Sequence, residues 1–129
     1  MYKFFNPNPF GLLTAGDCVV RALAILLDQD WDQTYTELAL NAYSMGKMPS
    51  ANSVHISYME QKGYKMYTLP PCPTCITVKE FAERNPKGKY LLATGDHVVG
   101  LIDGDYYDIF DSGQEIVTYY FSAKERERR

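Results

Sequence analysis

Nowhere in its 129 residues does the chain hold the roughly 20 consecutive apolar side chains that a membrane-spanning helix needs. No membrane partner is therefore expected. The opening residues Met1-Tyr2-Lys3-Phe4-Phe5-Asn6-Pro7-Asn8-Pro9 lack the apolar core of a secretory leader, which predicts a cytoplasmic protein. Glycine-rich phosphate loops and nucleotide fingerprints are missing too, so no cofactor is expected. A basic excess is also lacking. The net charge is −3, and the last six residues carry +2 of it, leaving −5 on the rest. An acidic body is a poor match for phosphate backbones, and no nucleic-acid partner is expected. Cysteine is scarce, at three residues, and the odd count leaves at least one thiol free whatever the others do. Without a leader, three cysteines do not read as a disulfide framework.

What is present is globular: 46% hydrophobic and 22% charged residues, with 11 tyrosines suited to half-buried sheet surfaces. The length suits one domain over 1–123, followed by a charged, flexible tail at 124–129. Residues 1–16, rich in Asn, Pro and Gly, predict an extended arm with turns. Cys18 to Leu27 is apolar on nearly every side, the mark of a buried helix, with Asp17 as its N-cap. A second helix is predicted from about Asp32 to Met45, stopped by Gly46. A third, capped by Ser50 or Asn52, runs toward Gly63. A fourth starts behind Thr77 with Glu80 in the capping-box position and stops before Pro86. Strands are predicted at Tyr64 to Leu69, Lys89 to Thr94, His97 to Ile102, Tyr106 to Phe110 and Ile116 to Ser122. The class is α+β, with N-terminal helices packed on a C-terminal antiparallel meander.

Cys18 carries the most chemical weight. Backbone N–H groups in the first turn of a helix are unpaired and partially positive, and they lower the pKa of a thiol placed there. The bland alternative is a small core residue, since free cysteine is often buried. His97, in Gly95-Asp96-His97-Val98-Val99-Gly100, opens an apolar strand where an imidazole can reach a helix start packed on the sheet. His55 has no such setting and reads as a surface or partly buried residue. The hairpin after His97 supplies a carboxylate. A three-residue turn, Asp103-Gly104-Asp105, places Asp111 opposite His97 on the same face. A two-residue Asp103-Gly104 turn shifts the pairing by one and brings Asp108 to that face instead. Asp111 is the leading candidate and Asp108 the reserve. Arg21, one turn beyond Cys18 in an apolar helix, requires a carboxylate partner such as Asp17 or Asp108. Cys72-Pro73-Thr74-Cys75 lacks the second ligand pair that structural zinc needs, and no metal is expected. Its cysteines read as loop residues that pair on oxidation, with a redox role as the rarer alternative.

A cysteine at a buried helix start, a histidine opening a strand and an acid or amide closing the next strand resemble the papain-like cysteine peptidases. Ile109-Phe110-Asp111-Ser112-Gly113 looks like the Asn-Ser segment that follows the histidine strand in papains. The Cys-His-Asp set is similar to that of bacteriocin-processing peptidases. Asn6-Pro7-Asn8-Pro9, Asp17-Cys18-Val19-Val20-Arg21-Ala22 and Tyr107-Asp108-Ile109-Phe110-Asp111-Ser112-Gly113 resemble segments of small proteins of bacteria and their phages. These likenesses imply a papain-like core and hydrolysis of a peptide or isopeptide bond in a peptide or protein substrate. Cys18, His97 and Asp111 would form the triad, in a bacterial host cell if the protein is phage-encoded. Papain-like enzymes usually carry an oxyanion-stabilising glutamine six residues before the cysteine, where this chain has Leu12. Asn8 and Thr14 are the candidates to replace it. A papain-like scaffold without that donor would bind without turnover, which makes a phage-type partner of a host protein the alternative function.

Overall fold

The computed structural model describes residues 1–123, so the tail expected at 124–129 lies outside the described residues. Four helices and a six-stranded mixed sheet alternate along the chain in an α+β arrangement. Strand β1 spans Tyr2–Phe4, and helices α1, α2 and α3 span Cys18–Leu27, Trp31–Met45 and Asn52–Gln61. Strand β2 (Tyr64–Thr68) and helix α4 (Val78–Arg84) follow. Strands β3 to β6 occupy Lys89–Ala93, Val98–Ile102, Asp105–Asp108 and Tyr119–Ala123.

Local signals set the helix ends. Asp30 caps α2 by accepting from Gln33 N at 2.7 Å, which starts the helix one residue earlier than expected. Helix α4 has the full capping box: Thr77 accepts from Glu80 N at 3.1 Å, and Glu80 accepts from Thr77 N at 2.8 Å.

Strand order in the sheet is β1-β5-β4-β3-β6-β2. The expected antiparallel meander holds for β3, β4 and β5. It fails at both edges. Strand β6 does not follow β5 but returns to the far side of β3, between it and β2. The N-terminal arm adds β1 parallel to β5, so the sheet is mixed.

Alternation along the strands sends side chains to two cores. Leu91, Ala93 and Val98 join Leu23, Leu26, Leu38, Val54 and Met59 beneath α1–α3. Leu92, Val99 and Leu101 join Val78, Phe81 and Ala82 of α4 on the other face. Among the described residues, no helix is long and apolar enough to cross a membrane.

Candidate active site

Cys18 is the first residue of α1 and is half-buried. Asp17 occupies the N-cap position but makes no cap bond with its side chain. Its carboxylate turns inward instead. Oδ1 accepts from Arg21 Nη1, while Oδ2 accepts from Trp31 Nε1 at 2.8 Å and Asn8 Nδ2 at 3.3 Å. The negative charge beside the thiol is thus paired with a guanidinium rather than left to repel a thiolate. The first-turn N–H groups, in turn, have no side-chain acceptor from the N-cap residue.

His97 sits one residue before β4, in the same cavity wall as Cys18 and close enough for each to shift the other's titration. Its Nε2 lies 2.6 Å from Asp108 Oδ2. Phe110 packs its ring against the imidazole, with centroids 5.0 Å apart. Asp108, at the end of β5, is 2% exposed and fully engaged. It accepts from Ile109 N at 2.8 Å, Ser112 Oγ at 3.0 Å and Arg21 Nη2 at 3.3 Å. Strand β1 fixes its backbone, with Phe5 N at 2.9 Å and Tyr2 Oη at 3.1 Å donating to the Asp108 carbonyl.

The electrostatics follow from these contacts. Burial pushes the Cys18 thiol up, but the His97 hydrogen bond, a backbone bond from Val98 and the positive charges of His97 and Arg21 outweigh it. The thiol therefore lies below its ordinary value. Burial pulls His97 down, yet bonds to Asp108 and Cys18, with their negative charges, raise it to about 10. Burial would raise Asp108, and the His97 bond and charge hold it below the usual carboxylate range. At neutral pH these directions together favour thiolate beside imidazolium, the form in which a cysteine is nucleophilic.

Asp111, expected opposite His97, is not there. The hairpin turn has two residues, with Ile102 paired to Asp105, Leu101 to Tyr106 and Gly100 to Tyr107. Asp103 at φ 49° and Gly104 at φ 84° both take the left-handed conformations that a tight two-residue turn demands. That register puts Asp108 on the face of His97 and turns Asp111 outward. Asp111 is exposed and accepts from Tyr106 Oη and Gly113 N, each at 2.9 Å. Of the oxyanion candidates, Asn8 is buried and lines the same cavity as Cys18, whereas Thr14 is exposed and does not. Leu12, at the glutamine position, is 50% exposed. Arg21 holds both of its suggested carboxylates.

His55 is another correction, being 1% exposed, in the wall of the cavity and hydrogen-bonded to Tyr119 Oη at 2.9 Å. Cys72 and Cys75 are joined in a disulfide, which leaves Cys18 as the free cysteine. Sequence reasoning assigned no site role to Trp31, Ser112 or Phe110. The Asp-Ser-Gly segment was the available signal for Ser112, but nothing local marks Trp31 as a partner of Asp17.

A cavity of about 720 Å³ opens beside Cys18 and His97. Its wall includes Val19, Val20, Trp31, Tyr35, Leu38 and Tyr119, and among the described residues it holds no lysine or arginine. Asp96 and the Arg21-paired Asp17 are its acidic members.

Comparison with known proteins gives no match, whether to a protein-family model, a curated protein or a solved structure.

Proposed function

We propose that the chain is a papain-like cysteine peptidase or amidase that hydrolyses a peptide or isopeptide bond. One observation carries the reading: His97 shares a cavity wall with the Cys18 thiol at the start of α1 and is held by the buried carboxylate of Asp108 at 2.6 Å. Cys18 Sγ attacks the carbonyl carbon, and the negative charge moves to the carbonyl oxygen. The Cys18 backbone N–H and Asn8 Nδ2 are the donors assigned to that oxygen. An amide nitrogen carries two N–H groups, and Asn8 directs one of them to Asp17. His97 then gives its proton to the leaving amine as the C–N bond breaks and a thioester forms. Water replaces the amine, His97 takes its proton, and attack on the thioester releases the acid and the Cys18 thiolate beside the protonated His97. Asp108 keeps the imidazole oriented throughout.

The test is the rate of Cys18 alkylation by iodoacetamide across pH, with sites assigned by mass spectrometry. The wild-type thiol should react fast below pH 7. His97→Ala and Asp108→Asn should slow it there by about tenfold or more, while Asp111→Asn leaves it unchanged. A wild-type thiol that titrates as an ordinary one, near about pH 8.5, overturns the reading. A positive result is followed by hydrolysis of a peptide library, with Cys18→Ala as the inactive control. A reactive thiol without turnover would favour the binding-protein alternative, for which the exposed Leu12 at the glutamine position is the supporting observation.

A further inference from the structure

Arg21 is 5% exposed and lies on the same helix as Cys18, one turn further along. Its guanidinium reaches two buried carboxylates, Asp17 through Nη1 and Asp108 through Nη2 at 3.3 Å. A structural ion pair needs only one. The two carboxylates are also held differently. Asp17 is anchored from the far side by Trp31 and Asn8, at 2.8 and 3.3 Å. Asp108 spends Oδ2 on His97 and Ser112, at 2.6 and 3.0 Å, and shares Oδ1 between Arg21 and Ile109 N.

We propose that Arg21 is a positioning residue: anchored through Asp17 and Trp31, it fixes the charge and orientation of Asp108 and thereby holds His97 against Cys18. The inference rests on the triad reading above.

Charge counting supports it. With both carboxylates ionised and Arg21 protonated, the buried cluster carries one negative charge, which a protonated His97 cancels. Without Arg21 the excess doubles, and a thiolate at Cys18 faces two carboxylates that no guanidinium offsets. Arg21 contributes directly to the lowered position of the Cys18 thiol. The remaining titratable groups around the site are Tyr2 of β1, at 3.1 Å from the Asp108 carbonyl, and Tyr35, Asp96, His55 and Tyr119 in the cavity wall. None of these is bonded to Arg21, and none is altered in the test.

Three variants are compared with wild type in the iodoacetamide pH profile of Cys18. Arg21→Met removes charge and fork. Arg21→Lys keeps the charge but cannot hold both carboxylates with a planar fork. The double variant Asp17→Asn, Arg21→Met removes one charge of each sign and guards against simple misfolding, which circular dichroism and a thermal melt would monitor. The double variant keeps the net charge of the cluster and loses the tether on Asp108, so it should fold and move the onset of Cys18 reactivity up by the positioning share alone, about half a pH unit; Arg21→Met should move it further, by about one pH unit or more. Arg21→Lys should recover part of that shift. A folded double variant with the wild-type profile overturns the inference while leaving the triad reading intact. A wild-type profile with no His97-dependent reactivity below pH 7 overturns both.

Discussion

A buried histidine is a pH-dependent liability whose sign follows from its environment. His55 is sealed between α3 and β6, with Nε2 on Tyr119 Oη and Nδ1 without a partner among the described residues. Burial pulls its pKa from 6.5 to about 4, so it is neutral in the folded chain. Between these values the unfolded chain binds the proton and the folded chain does not. Stability is therefore complete above about pH 6.5 and falls as pH drops toward 4, by roughly 3 kcal/mol in all. The paired groups act outside this window. Asp108, held below its ordinary value, loses its contribution only as pH falls through that lowered position. His97, raised to about 10, loses its contribution as pH rises from 6.5 toward 10. Urea midpoints at pH 7 and pH 4.5 should show the loss in wild type, and His55→Gln should flatten it. An equally steep loss in His55→Gln would remove His55 as the cause. This burial is not legible locally, because Asn52-Ser53-Val54-His55-Ile56-Ser57 alternates polar and apolar residues and no helical face stands out.

The juxtaposition of Cys18 with His97 depends on how closely α1 approaches β4. Gly100, in the middle of β4, makes that approach possible: a Cβ there would lie 2.7 Å from Ile25 Cγ2 and 3.2 Å from the Ala22 carbonyl oxygen. The isoleucine branch is stiff and the carbonyl belongs to the helix backbone, so neither yields easily. Gly100→Ala should push α1 off the sheet, cost about 1–3 kcal/mol in urea unfolding, and slow low-pH alkylation of Cys18. A variant of wild-type stability and reactivity would mean that α1 is not seated as described.

Helix starts at this scale were largely legible in the sequence, because a cap is a local signal, as Thr77 and Glu80 show. Strand partners were less so. Nothing within Tyr2–Phe4 names Tyr106–Asp108 as its parallel neighbour, and nothing in Tyr119–Ala123 chooses β3 over β5. The hairpin shows why the acid differs from the expected one. Asp103-Gly104-Asp105 is compatible with a two- or a three-residue turn, and that one-residue difference exchanges Asp108 for Asp111.

Over the whole molecule, charge and cavity lining point the same way. The protein carries −3, and the wall of the cavity beside Cys18 includes Val19, Val20, Trp31, Tyr35, Leu38 and Tyr119, with no lysine or arginine among the described residues. An acidic side chain entering there would lose hydration and meet only the His97 imidazolium, which Asp108 already holds at 2.6 Å. A large apolar side chain would displace water from Trp31, Tyr35 and Leu38, with the Trp31 and Tyr35 rings already stacked at 5.1 Å to receive it. For the proposed hydrolysis, peptides with a large apolar residue near the scissile bond should therefore exceed their glutamate counterparts in kcat/KM by about tenfold or more, one pairing of this kind amounting to at least 1.4 kcal/mol. Tyr35 is half-exposed at the rim and touches none of the proton-transfer groups. Tyr35→Ala should thus raise KM for the apolar peptides while leaving kcat near wild type, since uniform binding is lost and the transition-state contacts are kept. A library profile led by acidic peptides, or a Tyr35→Ala effect confined to kcat, would place the substrate somewhere other than this cavity.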